Sequence, residues 1–450
     1  MTCYLTLKNI SRISLAILAF IIRTIIFIIQ IFKKLVPINS GDTAWMLIAS
    51  SLVLLMIPAL GLFEAGLLRR KNTVSIFMQI FFGMALLSVM WFIFGFSLTF
   101  GPDTAGLVGN LDWTFLKGVP FDSSLKYAPT IPGVLFVKFE MMFAVITPLL
   151  LTGAIAERMK FSAYVLFIAA WSFLIYYPLV HWIWGGGWLG KLGVFDFAGG
   201  IVIHTSAGMG ALAAALVLGR RSNYGPSIMV PHSIPIAVLG SSLLWLGWFG
   251  FNAGSALASG GVAGNTVIVT HMASAVSALV WVALSWMRTH KPSVIAAING
   301  AIAGLAGITP ASGYVSVEHA FAIGLAIGVA SYMGVIFLKE RLRIDDALDV
   351  SSVHGIAGII GSLAIGIFAS SLINPAGPNG LLFGNAHQLL VQAIGVGVAG
   401  TLGFGGTFII MKVIDVLIGV RVSHETEERG LDIEEHAERA YTDEGDFEKI

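Results

Sequence analysis

Charge is what this chain has least of. Lys, Arg, Asp and Glu make up 11% of its 450 residues, where a soluble domain carries about a quarter. That shortage excludes a soluble globular fold. Cysteine is nearly absent too: Cys3 stands alone, which rules out an intrachain disulfide and a Cys-rich metal site. With no His-Glu-x-x-His helix and no obvious third ligand, neither a metal nor a cofactor is expected. The formal net charge of +1 points to no charged partner, and none of nucleic-acid type is expected. A fused kinase or nucleotide-cyclase-type domain is also missing.

What is present is apolar. Hydrophobic residues make up 56% of the chain, with 52 glycines and a mean hydropathy of +0.87. This composition describes a polytopic, all-α membrane protein with closely packed helices. Apolar runs of spanning length, about twenty residues each, fall near 43–66, 74–100, 131–156, 161–183, 196–219, 232–253, 262–287, 293–309, 314–338, 347–371 and 386–418. That predicts eleven transmembrane helices. The odd-numbered loops between them hold 12 basic residues, from Arg69, Arg70 and Lys71 through to Lys339, Arg341 and Arg343. The even-numbered loops hold only three, Lys117, Lys126 and Lys191. By the positive-inside rule the core begins outside and ends in the cytoplasm of a multi-pass cell-membrane protein.

Three parts follow: a leader over 1–40, a membrane domain over 41–420 and a cytosolic tail over 421–450. In the leader, Lys8 and Arg12 precede an apolar run from Ile13 to Phe32. A removed signal peptide, an extra helix and an early start codon all fit it. The tail holds eleven acidic and four basic residues. It reads either as a solvated end or as a regulatory docking element.

Within the core one unusual pattern occurs twice. Asp196, His204, Ala207 and Gly208 are matched, 150 residues later, by Asp346, His354, Ala357 and Gly358. Weaker echoes accompany it, such as Gly153-Ala-Ile-Ala with Gly300-Ala-Ile-Ala. Helices one to five and six to ten are therefore two inverted five-helix repeats, with the eleventh helix added at the C-terminus. Asp196 lies at the outer face and Asp346 at the inner face. Eight residues of helix carry each His roughly 12 Å into the bilayer, so both imidazoles come near the midplane. An ionisable side chain there is costly and usually functional. A His pair can share a proton and titrate as a unit, which suits a narrow path for a small hydrogen-bonding species such as ammonia or water.

Unusual residues also gather at the outer ends of helices. Trp184 opens a Gly-Gly-Gly run, Phe143 lies one turn below Glu140, and Ser255 closes Gly247-Trp-Phe-Gly-Phe-Asn-Ala-Gly. An aromatic face attracts a cation, and a hydroxyl oxygen accepts one N–H of an ammonium ion. Phe143 and Phe251 are placed to form an apolar constriction below. Taken singly, such a Trp is most often an interface anchor and such a Phe most often packing.

These motifs resemble the ammonium transporter family (Amt/Mep/Rh), specifically its Amt/Mep branch. The resemblance runs from about Gly41 to Tyr441 and rests on Trp184-Gly-Gly-Gly, Asp196-Phe-Ala-Gly-Gly-x-Val-x-His204, the run ending at Ser255, Thr309-Pro-Ala-Ser-Gly-Tyr314 and Asp349-Val-x-x-Val-His354-Gly. It implies a homotrimer in membrane lipid, with one narrow pore per subunit, and a channel or transporter rather than an enzyme. By position, Phe143, Trp184 and Ser255 correspond to the outer ammonium site, Phe143 with Phe251 to the gate, and His204 with His354 to the pore. Asp196 resembles the buried acid that supports the outer site; Asp346 and Glu140 complete the supporting set. The tail corresponds to the region contacted by PII-type signalling proteins.

Two positions depart from the family. Glu64 stands where an uncharged residue such as Tyr is expected, and pairing with Arg69 or Arg70 is its simplest explanation. Glu140 replaces an expected amide; it can raise the local ammonium concentration, or be tied to Lys138 or to a neighbouring subunit. Rival readings are a nitrogen sensor that signals through the tail and an Rh-like gas channel, the latter disfavoured by Trp184 and Ser255. An intramembrane metalloenzyme is more remote.

Overall fold

The computed structural model describes residue 23 and residues 37–222, 224–225 and 230–441. The expected leader therefore lies almost entirely outside the described residues, as does the tail beyond 441. Among the described residues, ten helices are long and apolar enough to cross a membrane: α1 Ser40–Leu67, α2 Arg70–Phe100, α3 Gly133–Ile155, α4 Phe161–Leu192, α5 Gly200–Leu218, α6 Ile234–Gly254, α7 Gly261–Thr289, α9 Val317–Arg341, α10 Ser351–Phe368 and α11 His387–Ile418. The shorter apolar helix α8, Val294–Ile308, completes the expected eleven.

Burial ranks these helices. The apolar window of α3 is 89% buried and that of α5 is 78% buried, against 28% for α11. So α3 and α5 form the centre, and α11 turns most of its surface outward. Among the described residues, six stretches widen to i→i+5 hydrogen bonding, including Gly200–Thr205 in α5 and Ser351–Ile356 at the start of α10. Each central histidine lies in one of those two wide turns, His204 as the fifth residue of the first and His354 as the fourth of the second. Such turns are rare and concentrate at functional sites.

Helices α5 and α10 begin four residues later than the apolar runs suggested, because each Asp sits ahead of its helix. Asp196 accepts the backbone N–H groups of Gly199, Gly200, Ile201 and Val202 at 2.7 to 3.1 Å. A helix start leaves such donors unpaired, and one buried carboxylate satisfies four of them. Asp346 makes the corresponding bond to Ser351 N at 2.7 Å, while its Oδ1 is buried without a partner.

At the basic ends of the helices, a buried ion network joins the loops. Glu157 meets Arg69 at 2.9 Å and Arg221 at 2.8 Å, and Arg221 continues to Asp345 at 2.7 Å. Burial alone would push the Glu157 carboxyl up; Arg221 and Arg69 outweigh it and hold the group below the usual carboxylate range.

The expected pairing of Glu64 does not occur. Its carboxylate lies 2.8 and 3.0 Å from Thr152 Oγ1, while Arg69 goes to Glu157 and Arg70 lies over the Tyr441 ring. The reason is register: Glu64 lies more than a turn short of the arginines and faces α3, not the helix end.

The described tail is docked rather than solvated. Glu427 is fully buried and takes Arg421 at 2.8 Å as well as Ser222 N. Asp432 accepts Ser75 N at 2.8 Å, and Leu431 N donates to Asn72 at 2.9 Å. The tail thus caps the start of α2, whose first donors need partners. Its short helices, α12 His424–Arg429 and α13 Leu431–His436, pack beneath the membrane domain.

Candidate functional site

The residues singled out in the sequence come together in one ladder of rings. From the mouth of a cavity inward, Trp184 and Phe143 have centroids 6.4 Å apart, nearly perpendicular at 82°. Phe143 and Phe251 follow at 4.5 Å, Phe251 and His204 at 6.0 Å, and His204 and His354 at 5.2 Å.

The upper end lines a cavity of 720 Å³ that includes Glu140, Phe143, Trp184, Asp196 and Ser255. Trp184 Nε1 donates to the backbone oxygen of Asp196 at 2.8 Å, which fixes the indole plane and leaves its face free. Ser255 Oγ donates to Phe251 O at 2.9 Å. Its single proton is thereby used, so what it offers the cavity is acceptor lone pairs. Glu140 is 7% exposed, and its Oε2 is buried with no hydrogen-bond partner, Lys138 included. The carboxylate of Asp196, by contrast, is consumed by the helix start.

Below the Phe143–Phe251 contact the passage shrinks to 20 Å³. That is about one water probe. Its lining is apolar, from Met56, Leu60 and Phe63 to Ile302, apart from His204, His354 and the Trp248 indole. The imidazoles lie nearly parallel at 17°, with Nδ1 to Nδ1 at 3.2 Å. One proton fits between two nitrogens at this distance. Two neutral rings sharing it present opposite Nε2 roles to the passage, one a donor and one an acceptor. His204 Nε2 has no protein partner.

Both glycines of the repeated pattern make this contact possible. A Cβ on Gly208 would sit 2.2 Å from Gly355 N and Cα, and one on Gly358 would sit 2.8 Å from His204 Cβ. Each repeat's glycine thus receives the histidine turn of the other. No residue larger than glycine fits at either place.

Two contributors escaped the sequence reading. Trp248 stacks on His204 at 5.6 Å and is fixed by Nε1 donating to Thr309 Oγ1 at 2.9 Å. It lies three residues before Phe251, and that i, i+3 spacing places both on one helix face, so a signal was available. His181 braces the Trp184 turn through Thr99 O at 2.8 Å and Asp103 at 3.1 Å. The Lys191 ammonium and then His181 hold the Asp103 carboxyl down at about 2.

Comparisons with known proteins identify the family. The profile of the Ammonium Transporter Family matches residues 44–441. The chain is 53% identical to Ammonium transporter 1 of Dictyostelium discoideum over 407 residues, covering 90% of this chain and 88% of that protein. It is 44% identical to Ammonium transporter Amt1 of Archaeoglobus fulgidus over 404 residues, covering 90% of this chain and all of that one. The crystal structure of Saccharomyces cerevisiae Mep2 superposes with a TM-score of 0.81 at 32% identity, covering 87% of this chain and 89% of that chain. On this fold, these motifs and this extent of match, the chain is a multi-pass membrane protein that belongs to the ammonium transporter family, whose members are transporters and not enzymes.

Proposed function

We propose that this chain captures ammonium at its outer face, removes a proton from it and conducts ammonia, with or without that proton, into the cytoplasm. Trp184, Phe143 and Ser255 hold the cation: two rings attract it and one hydroxyl oxygen accepts an N–H. Phe143 and Phe251 form the gate that strips its water. Burying a bare cation in the apolar passage below is expensive, so nitrogen continues as ammonia along His204 and His354. Potassium has no proton to lose and finds few oxygen ligands, so it is rejected.

The observation that carries this reading is the imidazole pair, 3.2 Å apart, in an otherwise apolar passage of 20 Å³. The test replaces both histidines with leucine. Ammonium flux or its discrimination against potassium is then lost; unchanged uptake with unchanged discrimination would overturn the role given to the pair.

In this reading the core starts outside, the tail is cytosolic and the working unit is a homotrimer in the lipid bilayer. The docked tail favours a second role in signalling, with a PII-type protein as the partner that meets it. Deletion of residues 423–450 separates the two roles. If flux survives and the cell's nitrogen response is lost, the tail signals; if the response survives as well, it does not.

A further inference from the structure

The outer cavity is far larger than its presumed cargo requires. It measures 720 Å³, and the space on the other side of the Phe143–Phe251 contact measures 20 Å³. Ammonium is about the size of a water molecule, whose share of liquid volume is about 30 Å³. The cavity therefore admits solutes that the passage refuses.

Its lining selects among them. Eight aromatic rings face this space, including Tyr127, Phe136, Phe143, Trp184 and Tyr314. Two carboxylates belong to it, and they differ in kind. Asp196 is saturated by four backbone amides. Glu140, nine-tenths buried, has an oxygen with no partner at all. A buried carboxylate without a partner is costly, and a cation placed in the cavity relieves that cost. Small alkali ions hold their water so tightly that contact with an aromatic wall does not repay its loss. An alkylated ammonium ion gives up its water readily and presents an apolar skin to the rings. Aromatic cages with a nearby anion recognise such ions.

We propose that the outer cavity of this chain is a binding site for organic ammonium ions too wide for the passage, anchored by Glu140 and the aromatic lining, and that these ions block ammonium from outside. The inference rests on reading the cavity as the ammonium route. It adds a ligand class that is bound without being carried.

Tetramethylammonium is the probe. The ammonium-driven signal of the full chain in proteoliposomes, whether current or internal alkalinisation, is measured with tetramethylammonium chloride outside. Potassium chloride at equal ionic strength and tert-butanol, a neutral molecule of similar shape, are the controls. The expected result is competitive inhibition, with a raised apparent KM for ammonium and an unchanged maximum. Neither control inhibits. Glu140→Gln weakens the inhibition about tenfold or more relative to its own flux, because the neutral amide loses the charge attraction, whereas Glu140→Asp retains most of it. Inhibition equalled by tert-butanol or potassium overturns the site, as does equal inhibition of Glu140→Gln. If Glu140→Gln does not reach the membrane, the two controls on the unaltered chain decide. If the unaltered chain shows no ammonium signal, the transport reading fails instead. Calorimetry of tetramethylammonium on the purified protein then decides the site by itself, and absence of binding overturns it.

Discussion

Gly208 on α5 lies against Gly355 on α10 so closely that a single added methyl group would come within 2.2 Å of the opposite backbone. This contact, with its counterpart at Gly358, sets the distance between His204 and His354. Gly358→Ala would press on His204 Cβ, at 2.8 Å, and on Thr205 N, at 2.9 Å. Overpacking of this kind costs about 1–3 kcal/mol, and here the strain falls on the imidazole pair. Ammonium flux should fall by more than the lowered melting temperature explains. Gly405→Ala, where nothing lies within 4 Å of the added carbon, should leave both unchanged. Equal flux in the two variants would separate the helix crossing from transport.

Trp184 provides a face and no formal charge. Trp184→Leu should raise the KM for ammonium by about ten- to thirtyfold, as expected for losing a desolvated cation–ring contact of about 2 kcal/mol. The maximal rate should change less. A fall confined to the maximal rate would assign the indole to a later step.

Asp196 is written twice into the structure, once at the helix start and once through its backbone oxygen at Trp184. Asp196→Ala strands four buried donors, each costing about 1–3 kcal/mol, and should abolish stable insertion. Asp196→Asn keeps an acceptor oxygen and should fold with reduced stability. Thermal unfolding in detergent orders the three chains. Normal stability of Asp196→Ala would remove the capping role.

Much of this site was legible in the sequence because it is repeated. The Asp-x7-His-x2-Ala-Gly pattern pointed to the histidines that meet, and the apolar runs gave the helix order. What the sequence could not convey was what the acids do. Asp196 reads as a supporting acid, and only the four amides around it show how it supports. Glu64 was assigned to the arginines by proximity in sequence, whereas helical register turns it towards Thr152. The tail's acidity fits a solvated end as well as a docking element, and Glu427 and Asp432 find buried donors that lie hundreds of residues away. Trp248 was passed over although its spacing from Phe251 set both on one helix face, because an aromatic in an apolar helix reads first as packing.

The two inner carboxylates make a paired test. Glu64→Gln keeps an acceptor for Thr152 and should cost less than about 1 kcal/mol. Glu157→Gln leaves Arg69 and Arg221 without their shared partner and should cost about 3–5 kcal/mol at neutral pH. Since the folded Glu157 carboxyl is held below its unfolded value of about 4.3, its contribution is present above that value. It is lost as pH falls through the folded value. The gap between Glu157→Gln and the unaltered chain should therefore close in acid. A gap that stays constant down through the carboxylate range would show that the ion pairs are not its source.

The most direct measurement is an ammonium concentration jump on proteoliposomes, with charge movement and internal pH recorded together and potassium as control. The account predicts a saturable ammonium signal that potassium does not produce. A current marks transport of the proton with its ammonia, and alkalinisation without current marks ammonia alone. The absence of both signals, or an equal response to potassium, would contradict it.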